Sequence, residues 1–199
     1  MIQRHIALGF VVVLAACAAV VAGRYGVKSD VDKFQDNEVH ITMSGGVIDA
    51  DYLGIVANAA EFNPFVVRSK DGKILASGIV FTLERVGGSD WLNITKGSTA
   101  TFLLNEGADK VVAEAGTGKI DYAVTAPQGT VYTTKYDLGV FSLSSQELRR
   151  LAMTKTIEVR VSGASSQIDF PRKPNNHIVD SFIPNLRRFY EEEIAPYSK

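Results

Sequence analysis

Phe65-Val66-Val67-Arg68-Ser69-Lys70-Asp71-Gly72-Lys73-Ile74 decides the fold, because apolar runs on either side of an Asp-Gly turn mark two antiparallel strands joined by a hairpin. The first run follows Pro64, and the second continues from Ile74 to Val86, where Gly87-Gly88-Ser89-Asp90 breaks it. Outward from this hairpin the same pattern repeats. Trp91 to Ile94 reads as a short strand, and Thr99 to Leu104 alternates until Asn105-Glu106-Gly107. Val111 to Ala115, Ile120 to Thr125 and Val131 to Phe141 follow, separated by Gly116-Thr117-Gly118 and Pro127-Gln128-Gly129. Turn signals this close together leave no room for crossover helices, so the sheet is expected to be antiparallel. Upstream, Val39, Ile41 and Met43 alternate with polar residues up to Gly45-Gly46. Asp51 to Ala60 places Leu53, Val56, Ala57 and Ala60 at helical spacing and reads as a short helix interrupted by Gly54.

The C-terminal third changes character. Ser144 and Glu147 have the spacing of a capping box, in which each satisfies a free backbone donor at a helix start, and Leu148, Leu151 and Ala152 form the face to be buried. Ile157, Val159 and Val161 then alternate with polar residues, and Gly163-Ala164-Ser165-Ser166 turns the chain into Gln167 to Phe170. A last helix is expected from about Phe182 to Ile194, with Pro184 in its first turn and Asp180 or Ser181 as cap. Arg187 and Arg188 stand four residues before Glu191 and Glu192 and are expected to pair with them. These elements predict an α+β fold: an antiparallel sheet or sandwich of roughly eight to ten strands with two C-terminal helices packed on it.

The chain has 199 residues, 46% of them hydrophobic and 22% charged, with a formal net charge of -1. That composition suits one globular core, and the near-balance of charge argues against nucleic acid as a partner. Cys17 is the only cysteine. An internal disulfide, a cysteine metal site and a catalytic thiol in the folded part are therefore excluded.

Cys17 lies in an unusual place. Arg4 and the free amine open the chain, an apolar run follows from Ile6 through Val11-Val12-Val13-Leu14, and then comes Leu14-Ala15-Ala16-Cys17. This segment resembles the bacterial lipoprotein signal, whose box is Leu, a small residue, Gly or Ala, and the lipidated Cys. The resemblance implies cleavage before Cys17, diacylglycerol on its thiol, residues 1–16 as signal, 17–37 as lipid anchor and tether, and 38–199 as one domain in the cell envelope. The apolar run continues past Cys17 to Gly23, and 18 residues from Ile6 suffice to cross a bilayer core. An uncleaved anchor and cleavage after Val20-Val21-Ala22 are the other two readings. All three place the domain outside the cytoplasm.

Candidate chemistry is sparse. His40 falls on the polar side of its strand and His177 precedes a helix, so neither has a second ligand nearby in sequence. Ala115-Gly116-Thr117-Gly118-Lys119-Ile120 resembles a phosphate loop but lacks its first glycine and its hydroxyl, and reads as a hairpin turn. Asp49 and Asp51 point the same way if extended and could share a proton or a cation, although no basic partner lies near them in sequence. Tyr132 and Tyr136, with Trp91 nearby, could form a carbohydrate or apolar-ligand face. Arg149-Arg150, Arg172-Lys173 and Arg187-Arg188 could meet anionic headgroups, though acidic neighbours weaken the field. No metal or cofactor is called for. The sequence therefore predicts a membrane-tethered, non-catalytic binding or accessory module; an envelope enzyme using carboxylates and a small-ligand carrier with a pocket between sheet and helices are the alternatives.

Overall fold

The computed structural model describes residues 23–35, 37–53, 56–86, 91–125, 131–172 and 179–198. Cys17, the rest of the N-terminal segment expected to be a signal, and His177 lie outside them. Among the described residues are ten strands and two α-helices: β1 (Gly26–Asp32), β2 (Glu38–Ser44), β3 (Val47–Leu53), β4 (Val56–Arg68), β5 (Ile74–Val86), β6 (Thr99–Leu104), β7 (Asp109–Thr125), β8 (Tyr132–Ser142), α1 (Ser145–Ala152), β9 (Ile157–Ser162), β10 (Gln167–Phe170) and α2 (Val179–Phe189). Every strand pairing is antiparallel. The α+β class and the antiparallel sheet are as the turn spacing predicted. Only α2 is C-terminal, however, since α1 connects β8 to β9.

The strands form one path, β1-β2-β4-β5-β8-β7-β6-β9-β10, with β3 paired to the remaining length of β4. The path doubles over, so that Phe62 on β4 meets Phe102 on β6 and Phe170 on β10, each with ring centroids 5.9 Å away. β7 makes this possible. Its first part pairs with β6 as far as Glu114, its second part with β8 from Ala115, and the register slips between Ala115 and Thr117. One extra residue at that point is a β-bulge, which bends the strand and reverses which face its later side chains occupy. Gly116-Thr117-Gly118 is thus not a hairpin turn but the corner of one continuous strand.

Three other expectations are corrected. Asp51 to Ala60 is not a helix: Asp49↔Ala60 through Leu53↔Val56 are paired in a β3–β4 hairpin. Leu53 and Val56 bracket Gly54-Ile55, which lies outside the described residues; a glycine opening a two-residue link is a hairpin signal that outweighs ten residues of helical spacing. The stretch expected to be tether contains β1, laddered to β2 from Gly26↔Ser44 to Asp32↔Glu38. Its charges Lys28, Asp30 and Asp32 fall on alternate positions, which is how an edge strand carries charge. The last helix starts at Val179, so Pro184 is beyond its first turn, and the chain continues as a π-helical turn Tyr190–Ile194 and a 3-10 turn Ala195–Tyr197.

α1 has the expected cap, with the Ser144 hydroxyl accepting from the Glu147 amide and the Ser144 amide donating to the Glu147 carboxylate at 2.8 Å. α2 buries Phe182, Leu186 and Phe189 against the core. Arg188 pairs with Glu192 at 2.8 Å as predicted, but Arg187 instead donates to the carbonyls of Ala152 and Thr154, tying α2 to the end of α1. The C-terminus is clasped to the start of the domain. The Tyr25 hydroxyl donates to Glu192 at 2.7 Å, Arg188 lies over the Tyr25 ring, and the Asn185 amide donates to the carbonyls of both Gly23 and Gly45.

Candidate functional site

Asp49 sits on β3 with 1% of its surface exposed, and its Oδ2 accepts from the Arg172 Nε at 2.6 Å and the Arg172 backbone amide at 2.9 Å. Sequence reasoning missed this partner because it lies 123 residues away. A carboxylate held by a guanidinium and an amide is a clamp on the chain leaving β10, not half of a free acid pair. Asp51 lies further along β3 opposite Asn58. Its side chain is outside the description. Among the described residues no three histidine or carboxylate groups converge as metal ligands.

A second buried carboxylate, Asp137 on β8, gave no signal in the sequence. Its Oδ1 accepts from the Asn93 amide at 2.9 Å and its Oδ2 from the Leu92 amide at 3.2 Å, with Arg85 3.7 Å away. Residues Trp91 to Ile94, expected to form a strand, have no ladder. Their polar groups are met by Asp137 on one side and by the 163–166 turn on the other, where Ala164 and Ser165 donate to the carbonyls of Asn93 and Leu92. This crossing is so close that a Cβ on Gly118 would stand 2.1 Å from the Ile94 carbonyl oxygen, and one on Gly163 1.9 Å from that of Leu92. Glycine is required at both positions by contact.

The crossing decides what becomes of the aromatic residues. Trp91 lies under the Lys135 ammonium, 4.9 Å from Nζ to ring centroid. Tyr136 instead turns its hydroxyl to Glu84 at 3.5 Å. Successive side chains of β8 leave opposite faces of the sheet, so Trp91 and Tyr136 do not share a surface. Tyr132 begins β8 opposite Thr125. Burial pushes both Glu84 and Tyr136 above their ordinary pKa values, and the proximity of Glu84 adds to the rise at Tyr136. Trp91 is thus set apart from Tyr136.

What the fold exposes instead is the far part of β7. From Lys119 to Thr125 this strand pairs with β8 on one side, while β6 has already been left behind at Glu114. The Tyr122 amide, facing away from β8, donates to its own neighbour, the Asp121 carboxylate, at 2.9 Å. Asp121 also pairs with Lys119 at 2.9 Å, and these two donors hold its carboxyl below the usual range. On the face shared with the buried core, Ile120, Tyr122 and Val124 are 39%, 67% and 58% exposed. The sequence showed the alternation of these residues but not that the sheet would extend past the core there.

A cleft of about 810 Å³ opens on the opposite flank, between β9, β10 and α2. Its wall carries the Arg160–Asp169 pair, with nitrogen–oxygen distances of 2.6 and 2.7 Å, beside Leu103, Ile183 and Pro184. This cleft lies where a pocket between sheet and helices was expected; deeper in, Phe62, Phe170 and Phe182 pack together.

Comparison with family models, with curated proteins and with solved structures finds no match to this chain. Function must be argued from the surfaces themselves. Among the described residues no helix is long and apolar enough to cross a membrane.

The exposed ion pairs predict an acid dependence. Arg160 holds Asp169, Arg150 holds Asp109, and Arg188 followed by Tyr25 holds Glu192 below the ordinary carboxylate range. A depressed folded pKa contributes stability that is present above the unfolded value of about 4 and is lost as pH falls through the lower folded value. Thermal melts followed by circular dichroism should therefore show a falling midpoint below about pH 5. In Arg160→Met the slope in that window should be shallower.

Proposed function

We propose that this protein is an envelope lipoprotein, held by lipid on Cys17, whose folded part is a non-catalytic accessory module that binds a protein partner by strand addition along β7. The observation supporting this reading is a stretch of β7 whose outer edge has no ladder partner among the described residues and which carries three exposed apolar side chains. A long free edge with an apolar face is a template for pairing, and folded proteins ordinarily cover or blunt such edges. Strand addition uses that template, with backbone bonds supplying affinity and alternate side chains supplying specificity. The two halves of the path act in this reading as a two-layer sandwich whose phenylalanine core keeps the β7–β8 arm rigid.

The anchor and the domain fit together simply. Gly23, which bonds to Asn185 of the domain, stands six residues after Cys17, a span of at most about 20 Å along an extended chain. The domain would work close to the bilayer surface. A carrier reading rests on a different observation, the cleft beside α2, whose wall sets the Arg160–Asp169 pair among apolar side chains and so suits a small amphipathic ligand.

Two measurements on the membrane-extracted protein test the proposal. Palmitate should label the wild type and an acylated mass should begin at Cys17, with both lost in Cys17→Ser; an unlabelled chain that keeps Met1 rules out the lipid anchor. A photo-reactive residue at position 122 should give a covalent protein adduct in cells, whereas one at Val112, equally on β7 but beside β6, should not. Adducts at neither position would remove the binding edge from the reading.

A further inference from the structure

The sequence of the β7 edge narrows the identity of its partner. Ile120, Tyr122 and Val124 carry the exposed apolar side chains of one face and, by the alternation of an antiparallel ladder, direct their amides and carbonyls to the open edge. The bulge at Gly116 sets this phase. Position 115 bonds toward β6, where its amide donates to Ser98, and the extra residue moves the outward-facing set to the even positions. An incoming strand must offer apolar residues at alternate positions and must not place a negative charge opposite Asp121.

We infer that the partner is a second copy of this chain, paired antiparallel through Lys119–Thr125 about a two-fold axis at Tyr122; this rests on the reading of β7 as the binding edge. In that register Ile120 faces Val124 of the other copy, Tyr122 faces Tyr122, and Val124 faces Ile120. On the other face Lys119 meets position 125 and Asp121 meets Ala123, so no like charges are opposed. Shifting the pairing so that Ile120 faces Tyr122 puts Asp121 directly opposite Asp121, which is unfavourable. Shifting it further, so that Ile120 faces Ile120, sets Tyr122 against Gly118, where the Ile94 carbonyl already lies within 2.1 Å of a Cβ position. The register about Tyr122 is the one that uses the whole length Lys119–Thr125, and it gives two backbone hydrogen bonds at each outward-facing pair.

The symmetry also explains Asp121. Its carboxylate occupies the Tyr122 amide in the isolated chain, and that amide would donate across the dyad in the dimer. Asp121 is thus a competitor that keeps the association reversible.

Sedimentation velocity of the full-length protein in density-matched nonionic detergent is the test. The wild type should show a concentration-dependent dimer. Ala123→Lys, which sets an ammonium against Asp121 of the other copy twice per dimer, should tighten it roughly tenfold, and Ala123→Asp should weaken it by a similar factor. Tyr122→Asp should abolish it. Circular dichroism checks that each variant folds, and opposite shifts from two substitutions at one surface position cannot come from misfolding. Wild type and Ala123→Lys that both stay monomeric overturn the inference, as do equal effects of Ala123→Lys and Ala123→Asp. If dimerisation fails while a cross-linker at position 122 still captures a different chain, the second copy is wrong and the binding edge stands. If both fail, the edge itself is wrong.

Discussion

Phe62→Ala is expected to lower the free energy of unfolding by about 4 kcal/mol, as large aromatic truncations in a closed core do. Phe62 is fully buried and meets rings from four separate elements. Phe81 on β5 lies 4.8 Å away, Phe102 on β6 and Phe170 on β10 at 5.9 Å, and Phe182 on α2 at 6.2 Å. Most of these pairs are edge-to-face or tilted, the geometries that aromatic quadrupoles favour. The side chain therefore joins the two halves of the strand path and α2 at one point, and backbone fixed by ladders on both sides of β4 cannot collapse into the cavity. For a chain of this size the loss corresponds to a melting temperature about 8 to 16 °C lower. Urea titration should show the midpoint falling with little change in slope. Phe34→Ala is the control, because Phe34 is 100% exposed and its loss should change stability by less than about 0.5 kcal/mol. A loss under about 1 kcal/mol for Phe62→Ala would mean that the halves are not joined through this ring.

Asp49→Ala should cost about 3 kcal/mol. The substitution removes the acceptor for both the guanidinium and the amide of Arg172, and it does so at a position with 1% exposure. The Arg172 side chain is 33% exposed and can recover water, which keeps the loss below that of stranding a charge wholly in the interior. Arg172→Met is the complementary change: it removes the guanidinium while leaving the amide of residue 172 bonded to the Asp49 carboxylate, and it too should destabilise the fold. Guanidinium melts of both variants at neutral pH measure the two losses side by side. Should Asp49→Ala prove as stable as the wild type, the clamp after β10 has no energetic weight, and a role for Asp49 in chemistry would have to be reconsidered.

How far the fold was legible follows the range of the interactions. The hairpin at Asp71-Gly72, the turns at Asn105-Glu106-Gly107 and 163–166, and the cap at Ser144 are set by backbone preferences and bonds within a few residues. All of them are where the sequence indicated. The segment 51–60 misled because ten residues hold too few turns for a helical period to be distinguished from an apolar strand, and the tie was broken by pairing with β3 and β5. The candidate site was less legible. Trp91 was expected near Tyr132 and Tyr136, but Lys135 and Tyr136 project to opposite faces of β8 and the crossing segment takes Trp91 to the Lys135 side.

By itself the sequence determined that this is an antiparallel, β-rich α+β chain, because alternation and turn chemistry are local and act before any tertiary contact forms. Only the tertiary structure decided that Asp49 meets Arg172, that Asp137 carries the crossing at Leu92 and Asn93, and that β7 outruns β6 to leave an open edge. Each of these depends on which distant strands share a layer and where one stops before its neighbour. That is fixed by burial of the phenylalanine core and by a single bulge at Gly116, quantities that no short window of residues contains.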